Sequence, residues 1–202
     1  AGEGRAPGTA GQLALVRSPP ISRLIRFTNV PSDNYLAEML IKDLGARFGA
    51  GGSTAAGAAV VRDRLGTLGI APQVVDGSGL SRGDHTTPRQ VVRLLAAMAR
   101  SGPFADTFRG SLAVACRSGT LAARMCGSAA SGRCRGKTGT LSNVSALSGY
   151  CTLPTGRTIA FSFLMNGVDV YGARSLQNRM AVAIARYRPA ATPAALPRSA
   201  GR

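Results

Sequence analysis

The chain has 202 residues, of which 45% are hydrophobic, so it can bury a core of one or two domains. Its formal charge of +16 attracts polyanions, but scattered basic residues and the absence of Trp for base stacking argue against nucleic acid as a partner. No apolar run approaches the roughly 18 residues that a membrane helix needs, so we expect no membrane span.

The chain opens with a stretch rich in Gly, Ala and Pro at 1–11, which predicts a flexible leader. It lacks the basic-then-apolar opening of a signal peptide, so we expect either a mature chain or an internal fragment. Residues 12–17 predict a short strand, which ends at Ser-Pro-Pro because proline cannot donate to a sheet ladder. A short helix is expected over 21–28.

Apolar residues at helical spacing define the middle of the chain. Helices are predicted over 32–48, 53–68, 87–100 and, more briefly, 104–108. The third has the clearest start, because Thr87 and Gln90 form a capping box with Pro88 in the first turn. Between the second and third helices, Gln73 to Asp76 predict a brief strand that leads into a glycine-rich loop.

In the last third of the chain, apolar and polar residues alternate as they do in β-strands. Strands are predicted over 133–141, 145–152 and 157–166, and a last helix over 171–187. The tail at 189–202 is rich in Pro and Ala and is predicted to be disordered. The sequence thus predicts an α+β fold over 12–188, in which helices flank an antiparallel sheet of three strands.

The four cysteines are the next feature that bears on function. They form no C-x-x-C pair, and the single His85 cannot complete a zinc set, so we expect no metal and no cofactor. An even count fits two disulfides in an oxidising compartment, although free buried thiols remain an alternative. Of the three connectivities we favour Cys126–Cys134, which closes a loop of small residues, with Cys116–Cys151 as the second bridge.

Two short motifs could carry chemistry. In Ser32-Asp33-Asn34, the serine is either the N-cap of the predicted helix or part of an S-x-N motif, and Asn34 suits a cleft better than a helix start. In Lys137-Thr138-Gly139-Thr140, strand alternation places the lysine and glycine on one side and the two threonines on the other.

The K-T-G-T stretch is suited to binding an anionic substrate. The hydroxyls of Thr138 and Thr140 could bind a carboxylate, and Gly139 would let a substrate backbone approach closely. The backbone N–H of Thr140 could point at a developing oxyanion. The alternative is an edge strand that is merely protected from aggregation by the charge of Lys137.

Together, these motifs resemble the second and third motifs of penicillin-binding proteins and serine β-lactamases, whose first motif is S-x-x-K. Within that superfamily the chain resembles the D-alanyl-D-alanine carboxypeptidase/endopeptidase family typified by penicillin-binding protein 4. The resemblance covers about 12–187 and implies a β-lactamase/transpeptidase-like fold. Further stretches that carry it are Asp76-Gly77-Ser78-Gly79-Leu80-Ser81-Arg82, Thr87-Pro88 and Val144-Ser145-Ala146-Leu147-Ser148-Gly149-Tyr150.

The resemblance implies a role for each motif residue. Ser32 would relay a proton to the leaving amine, and Asn34 would hydrogen-bond the substrate or the lysine of the first motif. Lys137 would supply a positive field and bridge to Ser32. Thr138 and Thr140 would bind the terminal carboxylate of a peptidoglycan peptide or of a β-lactam, and the Thr140 N–H would form half of an oxyanion hole.

The first motif is missing, however. No serine has a lysine three residues later, and the only lysines are Lys42 and Lys137. We therefore expect this chain to be the C-terminal half of an enzyme, with the nucleophile on an N-terminal fragment of the same protein. Without that fragment, the helices at 32–48 and 87–100 should expose apolar faces. Ser78 lies between glycines but lacks the G-x-S-x-G spacing, so we assign its loop a structural role.

The resemblance further implies secretion to the periplasm or cell-wall space of a bacterium, where peptidoglycan lies. Two alternatives stay open. The chain could belong to a serine β-lactamase, or it could be a non-catalytic basic module that binds anionic wall polymers. In the second case the charge of +16 would be functional, whereas otherwise it can simply reflect arginines on solvated faces.

Overall fold

A computed structural model describes residues 4–5 and 7–189 of the chain. Of the predicted tail at 189–202, only residue 189 is described. Part of the predicted leader at 1–11 also lies outside the described residues. The helices are α1 (Ile21–Asn29), α2 (Asn34–Phe48), α3 (Thr54–Gly66), α4 (Pro88–Ala99), α5 (Pro103–Ser111) and α6 (Val170–Arg186). The strands are β1 (Ala113–Val114), β2 (Cys134–Leu141), β3 (Val144–Thr152) and β4 (Thr158–Asn166).

The sheet is antiparallel throughout, with the strand order β1-β2-β3-β4. The three strands predicted for the sheet, over 133–141, 145–152 and 157–166, are confirmed. The two-residue β1 was not predicted, because so short a segment shows no periodic pattern of apolar residues. It pairs only with Arg135 and Gly136, at the start of β2. From Lys137 onward β2 has β3 on one side only, so the K-T-G-T stretch lies on an open edge of the sheet.

Helices cover both faces of the sheet. On one face α6 packs its small residues Ala181 and Ala185 against Leu147 and Phe161, and all four are buried. On the other face Leu95 of α4 is 5% exposed and its carbonyl accepts a hydrogen bond of 2.6 Å from the Tyr150 hydroxyl. The expectation that the helix at 87–100 exposes its apolar face is therefore wrong, because that helix lies on the sheet.

Several predicted boundaries were also wrong. Residues 12–17 form no strand in the described structure, and Leu13 and Val16 are fully exposed, because no neighbouring strand is present to pair with them. The strand predicted from Gln73 reduces to one isolated bridge between Gln73 and His85. The short helix predicted at 104–108 extends over the whole of α5. Within the described residues, no helix is long and apolar enough to cross a membrane.

Both predicted disulfides were mispaired. The bridges are Cys116–Cys126 and Cys134–Cys151, with Cα–Cα distances of 4.8 and 4.1 Å. Cys134 and Cys151 are direct partners in the β2–β3 register, so their side chains meet on the same face. The prediction paired cysteines by the length of the loop between them and took no account of strand register, which the β2–β3 hairpin sets.

We expect the Cys134→Ala/Cys151→Ala variant to lose about 3 kcal/mol of unfolding free energy, because the bridge closes a loop of 17 residues inside the core. Urea denaturation measures this loss. The variant should contain no free thiol, since Cys116 and Cys126 still form their own bridge. Two free thiols in the folded variant would contradict the observed pairing.

Candidate active site

Ser32 lies in the tight turn between α1 and α2. Its backbone has φ of +66°, a left-handed conformation that is unfavourable for a residue with a side chain. The N-cap of α2 is Asp33, whose carboxylate accepts a hydrogen bond of 2.8 Å from the Leu36 N–H. The N-cap alternative for Ser32 is therefore wrong: α2 begins at Asn34, and the hydroxyl of Ser32 is not used by the helix.

Lys137 joins the two motifs. Its ammonium group donates hydrogen bonds of 2.6 Å to the Ser32 hydroxyl oxygen and 2.7 Å to the Thr138 carbonyl oxygen, so residues 105 positions apart are in direct contact. Burial lowers the pKa of Lys137. The ion pairs among the described residues, Arg47–Asp43 and Arg109–Asp106, do not involve it. A partly buried cation that has no carboxylate partner among the described residues thus lies beside Ser32.

The four residues of the K-T-G-T stretch line one cleft of about 740 Å³ together with Ser32 and Asn34. Alternation along β2 directs the lysine and glycine to one side and the threonines to the other, and at the open edge both sets line the same cleft. Asn34 lies in the first turn of α2 and faces the cleft, and no hydrogen bond from its side chain is recorded within the described part of the chain.

Each threonine of the stretch has a polar neighbour. The Thr138 hydroxyl donates a 2.9 Å hydrogen bond to that of Thr120, and the Thr140 hydroxyl oxygen accepts one of 3.1 Å from the Arg174 guanidinium. Thr120, Arg174 and Arg124, which also line the cleft, were missed by sequence reasoning. Thr120 lies in a single 3-10 turn at Gly119–Leu121 and Arg124 in irregular chain, so no periodic signal could have identified them.

The loop at 77–80 forms another part of the cleft wall. Asp76 organises it by accepting hydrogen bonds from the Gly79 N–H, the Ser81 N–H and the Ser78 hydroxyl, at 2.6, 2.9 and 3.1 Å. Burial opposes ionisation of Asp76, but these hydrogen bonds, together with the side chain of Asp84, outweigh it and lower its pKa. Ser78 is thus tied to Asp76, as expected for a structural loop. No cluster of three or more possible metal ligands occurs among the described residues.

Gly119 connects the cleft wall to the Ser32 turn. Its φ is +53°, and an added Cβ would lie 2.0 Å from the Val30 carbonyl oxygen, which accepts a hydrogen bond from the Thr120 N–H. We expect Gly119→Ala to lower the unfolding free energy by about 1–3 kcal/mol, measured by urea denaturation. Gly127→Ala is the matched control, since its φ is +66° but its Cβ would meet nothing. Equal losses in both variants would show that the contact with Val30 is unimportant.

Three comparisons place the chain among known proteins. The model of the D-Ala-D-Ala carboxypeptidase 3 (S13) family matches residues 2–187. A D-alanyl-D-alanine carboxypeptidase from Actinomadura sp. (strain R39) is 45% identical over 87 residues, which are 42% of this chain and 16% of that protein. Penicillin binding protein 4 from Haemophilus influenzae, solved with a β-lactam, superposes with a TM-score of 0.72 at 22% identity, over 83% of this chain and 42% of that one.

A class A β-lactamase from Bacteroides cellulosilyticus superposes with a TM-score of 0.63 at 19% identity, over 82% of this chain and 62% of that one. These similarities confirm the predicted β-lactamase/transpeptidase-like fold. The chain spans less than half the length of the carboxypeptidase and of penicillin binding protein 4. Because the family model matches nearly the whole chain, the chain belongs to the D-Ala-D-Ala carboxypeptidase 3 (S13) family.

Proposed function

We propose that this chain is the C-terminal half of a penicillin-binding D-Ala-D-Ala carboxypeptidase/endopeptidase that acts on peptidoglycan stem peptides. The observation that carries the proposal is the hydrogen bond between Lys137 and Ser32, which brings the S-x-N and K-T-G motifs together on one cleft. We call the complete enzyme, which joins this chain to an N-terminal segment with the S-x-x-K motif, the parent protein.

The reaction proceeds through an acyl-serine. The serine of the S-x-x-K segment gives its proton to the neighbouring lysine and attacks the carbonyl carbon of the penultimate D-Ala. The negative charge that develops on the carbonyl oxygen is stabilised by the N–H of Thr140 and by that of the attacking serine. The C–N bond then breaks, the terminal D-Ala leaves as an amine, and water later hydrolyses the ester.

Ser32 conducts the proton to the leaving amine. Its oxygen accepts a hydrogen bond from Lys137, so its own hydrogen is available for the departing nitrogen. As Ser32 gives up this proton, it takes another from the lysine of the S-x-x-K segment. Lys137 remains a cation throughout and lowers the energy of the transient negative charge on the Ser32 oxygen. Asn34 hydrogen-bonds the substrate amide or the lysine of the first motif.

Thr138 and Thr140 bind the carboxylate of the substrate through their hydroxyls, and Gly139 lets the substrate backbone lie against the strand. A β-lactam presents its carboxylate at the same place and acylates the same serine. Support comes from the positions of these residues along one open strand edge, where a peptide can lie without losing sheet hydrogen bonds.

Apolar surface on α2 supports the existence of the N-terminal segment. A cavity of about 360 Å³ lies beside Ser32 and Lys137 and is lined by the aliphatic side chains Leu40, Ile41 and Leu44. A second groove, of about 830 Å³, runs between α2 and the residues around Pro20. We propose that the S-x-x-K segment fills both, because the part of the chain that the structure describes leaves these surfaces uncovered.

Two disulfides fit an oxidising compartment, which supports secretion to the periplasm or cell-wall space of a bacterium. The decisive assay incubates the parent protein with diacetyl-L-lysyl-D-alanyl-D-alanine and measures released D-alanine. We expect release that benzylpenicillin blocks. Rapid turnover of a chromogenic cephalosporin without D-alanine release would instead identify a β-lactamase, and binding to cell walls without either reaction would identify a non-catalytic module.

A further inference from the structure

The two disulfides differ in their access to solvent. Cys134 and Cys151 are 1% and 0% exposed, and their bridge lies in the core. In the other bridge, Cys116 is partly buried and Cys126 is exposed. A thiolate must reach a sulfur atom to break a disulfide, so exposure decides which bridge can react. A dissolved thiol can therefore reach the Cys116–Cys126 bridge, while the folded core protects the other.

The exposed bridge closes a segment, 116–126, that forms part of the cleft wall. Thr120 connects this segment to both motifs of the site. Its hydroxyl oxygen accepts a 2.9 Å hydrogen bond from the Thr138 hydroxyl. Its N–H donates one of 3.2 Å to the carbonyl oxygen of Val30, which lies shortly before Ser32 in the chain. A movement of the segment would therefore displace groups on both sides of the cleft.

The backbone at both ends of this segment is strained. Cys116 has a φ of +57°, and Met125, the residue before Cys126, has a φ of +61°. Both values lie in the left-handed region, which is unfavourable for a residue with a side chain. Such conformations persist only where the surrounding contacts hold them. The bridge is one of those contacts, because it links Cys116 to the neighbour of Met125. Once the bridge is open, both residues can relax and the segment can change shape.

A second restraint limits how far the segment can move. Arg124 donates hydrogen bonds of 2.9 and 3.1 Å to the side-chain oxygens of Asn178 and Gln177 on α6, and Gln177 is 0% exposed. A buried network of this kind is rigid, and it does not depend on the bridge. We therefore expect an open bridge to loosen the part of the wall around Thr120 and to leave the rest of the fold in place.

We propose that the Cys116–Cys126 bridge is a redox site for dithiol reductants, and that its reduction slows acylation at the cleft. The effect on acylation rests on the proposed function. A thiolate of the reductant attacks the exposed sulfur of Cys126, the S–S bond breaks, and the Cys116 sulfur leaves as a thiolate that takes up a proton. The second thiol of the reductant then releases Cys126 as a thiol and closes the reductant's own disulfide. Two electrons thus pass from the reductant to the bridge, and a disulfide oxidant reverses the reaction.

The first test needs no catalysis. The folded parent protein is treated with increasing concentrations of dithiothreitol, its free thiols are blocked with iodoacetamide, and the blocked cysteines are mapped by mass spectrometry. We expect Cys116 and Cys126 to be blocked at a dithiothreitol concentration about tenfold or more below that required for Cys134 and Cys151. Equal concentrations for the two bridges, or a Cys116–Cys126 bridge that opens only when the protein unfolds, would overturn the inference.

The second test measures acylation by benzylpenicillin in three forms of the parent protein: oxidised, reduced at this bridge alone, and Cys116→Ser/Cys126→Ser. We expect the reduced protein and the variant to be acylated about tenfold to a hundredfold more slowly than the oxidised protein, because small displacements at a reacting site have effects of this size. Oxidised glutathione should restore the rate of the reduced protein and leave that of the variant unchanged. If all three forms are acylated at the same rate, the bridge does not control the cleft and the inference is wrong.

Hydrogen exchange separates this inference from the proposed function. On reduction, the amides of 117–123 should exchange faster, whereas those of α6 should stay protected. An oxidised parent protein that benzylpenicillin does not acylate would reject the proposed function, and hydrogen exchange then decides. Faster exchange confined to 117–123 would retain the redox site. Unchanged exchange in this segment, or loss of protection in α6 as well, would contradict it.

Discussion

In the parent protein, we expect Lys137→Met to reduce the rate of acylation by benzylpenicillin by about 10²–10³-fold, because the substitution removes a fixed cation beside the reacting groups. The side-chain volume is nearly kept, so the cleft should not collapse. Stopped-flow acylation measures the rate. The control is Lys42→Met, which changes the only other lysine of the chain, on α2. A Lys137→Met protein that acylates at the normal rate would contradict the role proposed for this residue.

The same substitution should not destabilise the fold at neutral pH. Burial lowers the pKa of Lys137 below its ordinary 10.5, so in the window between the lowered value and 10.5 the unfolded chain binds more protons than the folded chain. Stability contributed by this residue therefore rises with pH through that window. At pH values below this window, we expect the melting temperature of Lys137→Met to equal or exceed that of the wild type. As the pH rises through the window, the melting temperature of the variant should rise less than that of the wild type.

The second large effect concerns Ser32. Both Ser32→Ala and Ser32→Gly should reduce peptide hydrolysis by the parent protein about 10²–10⁴-fold, because each removes the hydroxyl that conducts the proton. Their stabilities should differ. At a φ of +66°, glycine is relaxed and alanine is strained, so we expect the glycine variant to be more stable by about 1 kcal/mol in urea denaturation.

This pair separates function from backbone strain. If both variants lose activity and Ser32→Gly is the more stable, the turn is strained and serine is retained there for its hydroxyl. If Ser32→Gly hydrolyses the peptide normally, the proton-relay role is wrong. If the two variants are equally stable, the left-handed backbone at Ser32 costs nothing and offers no evidence for function.

Much of the site could be predicted because its residues lie in two short runs of unusual composition. Ser32 and Asn34 lie at the start of a strongly patterned helix, and the K-T-G-T stretch lies within a predicted strand, so the sequence showed both the motifs and the elements that carry them. The alternative that made Ser32 the N-cap was wrong, because Ser32 and Asp33 are both good caps and only the backbone geometry decides between them.

Other parts of the site depend on contacts between distant segments. Arg124 enters the cleft because a disulfide and a buried network hold its irregular segment in place, and neither has a local signature. In the sequence, Arg174 is only a polar residue of a predicted helix. Its position at the cleft depends on the packing of α6 against the sheet. The strand β1 is too short for any periodic pattern. These features depend on packing between segments that are distant in the chain, so no local sequence pattern reveals them.

The most direct test of the divided active site is the location of the acyl group. The parent protein is treated with a fluorescent penicillin, digested and mapped by mass spectrometry, and the 202-residue chain is treated alone in parallel. We predict one labelled serine, within the S-x-x-K segment, and no label on the separate chain. A label on any serine of this chain would contradict the proposal that its cleft supplies the proton relay and the anion site but not the nucleophile.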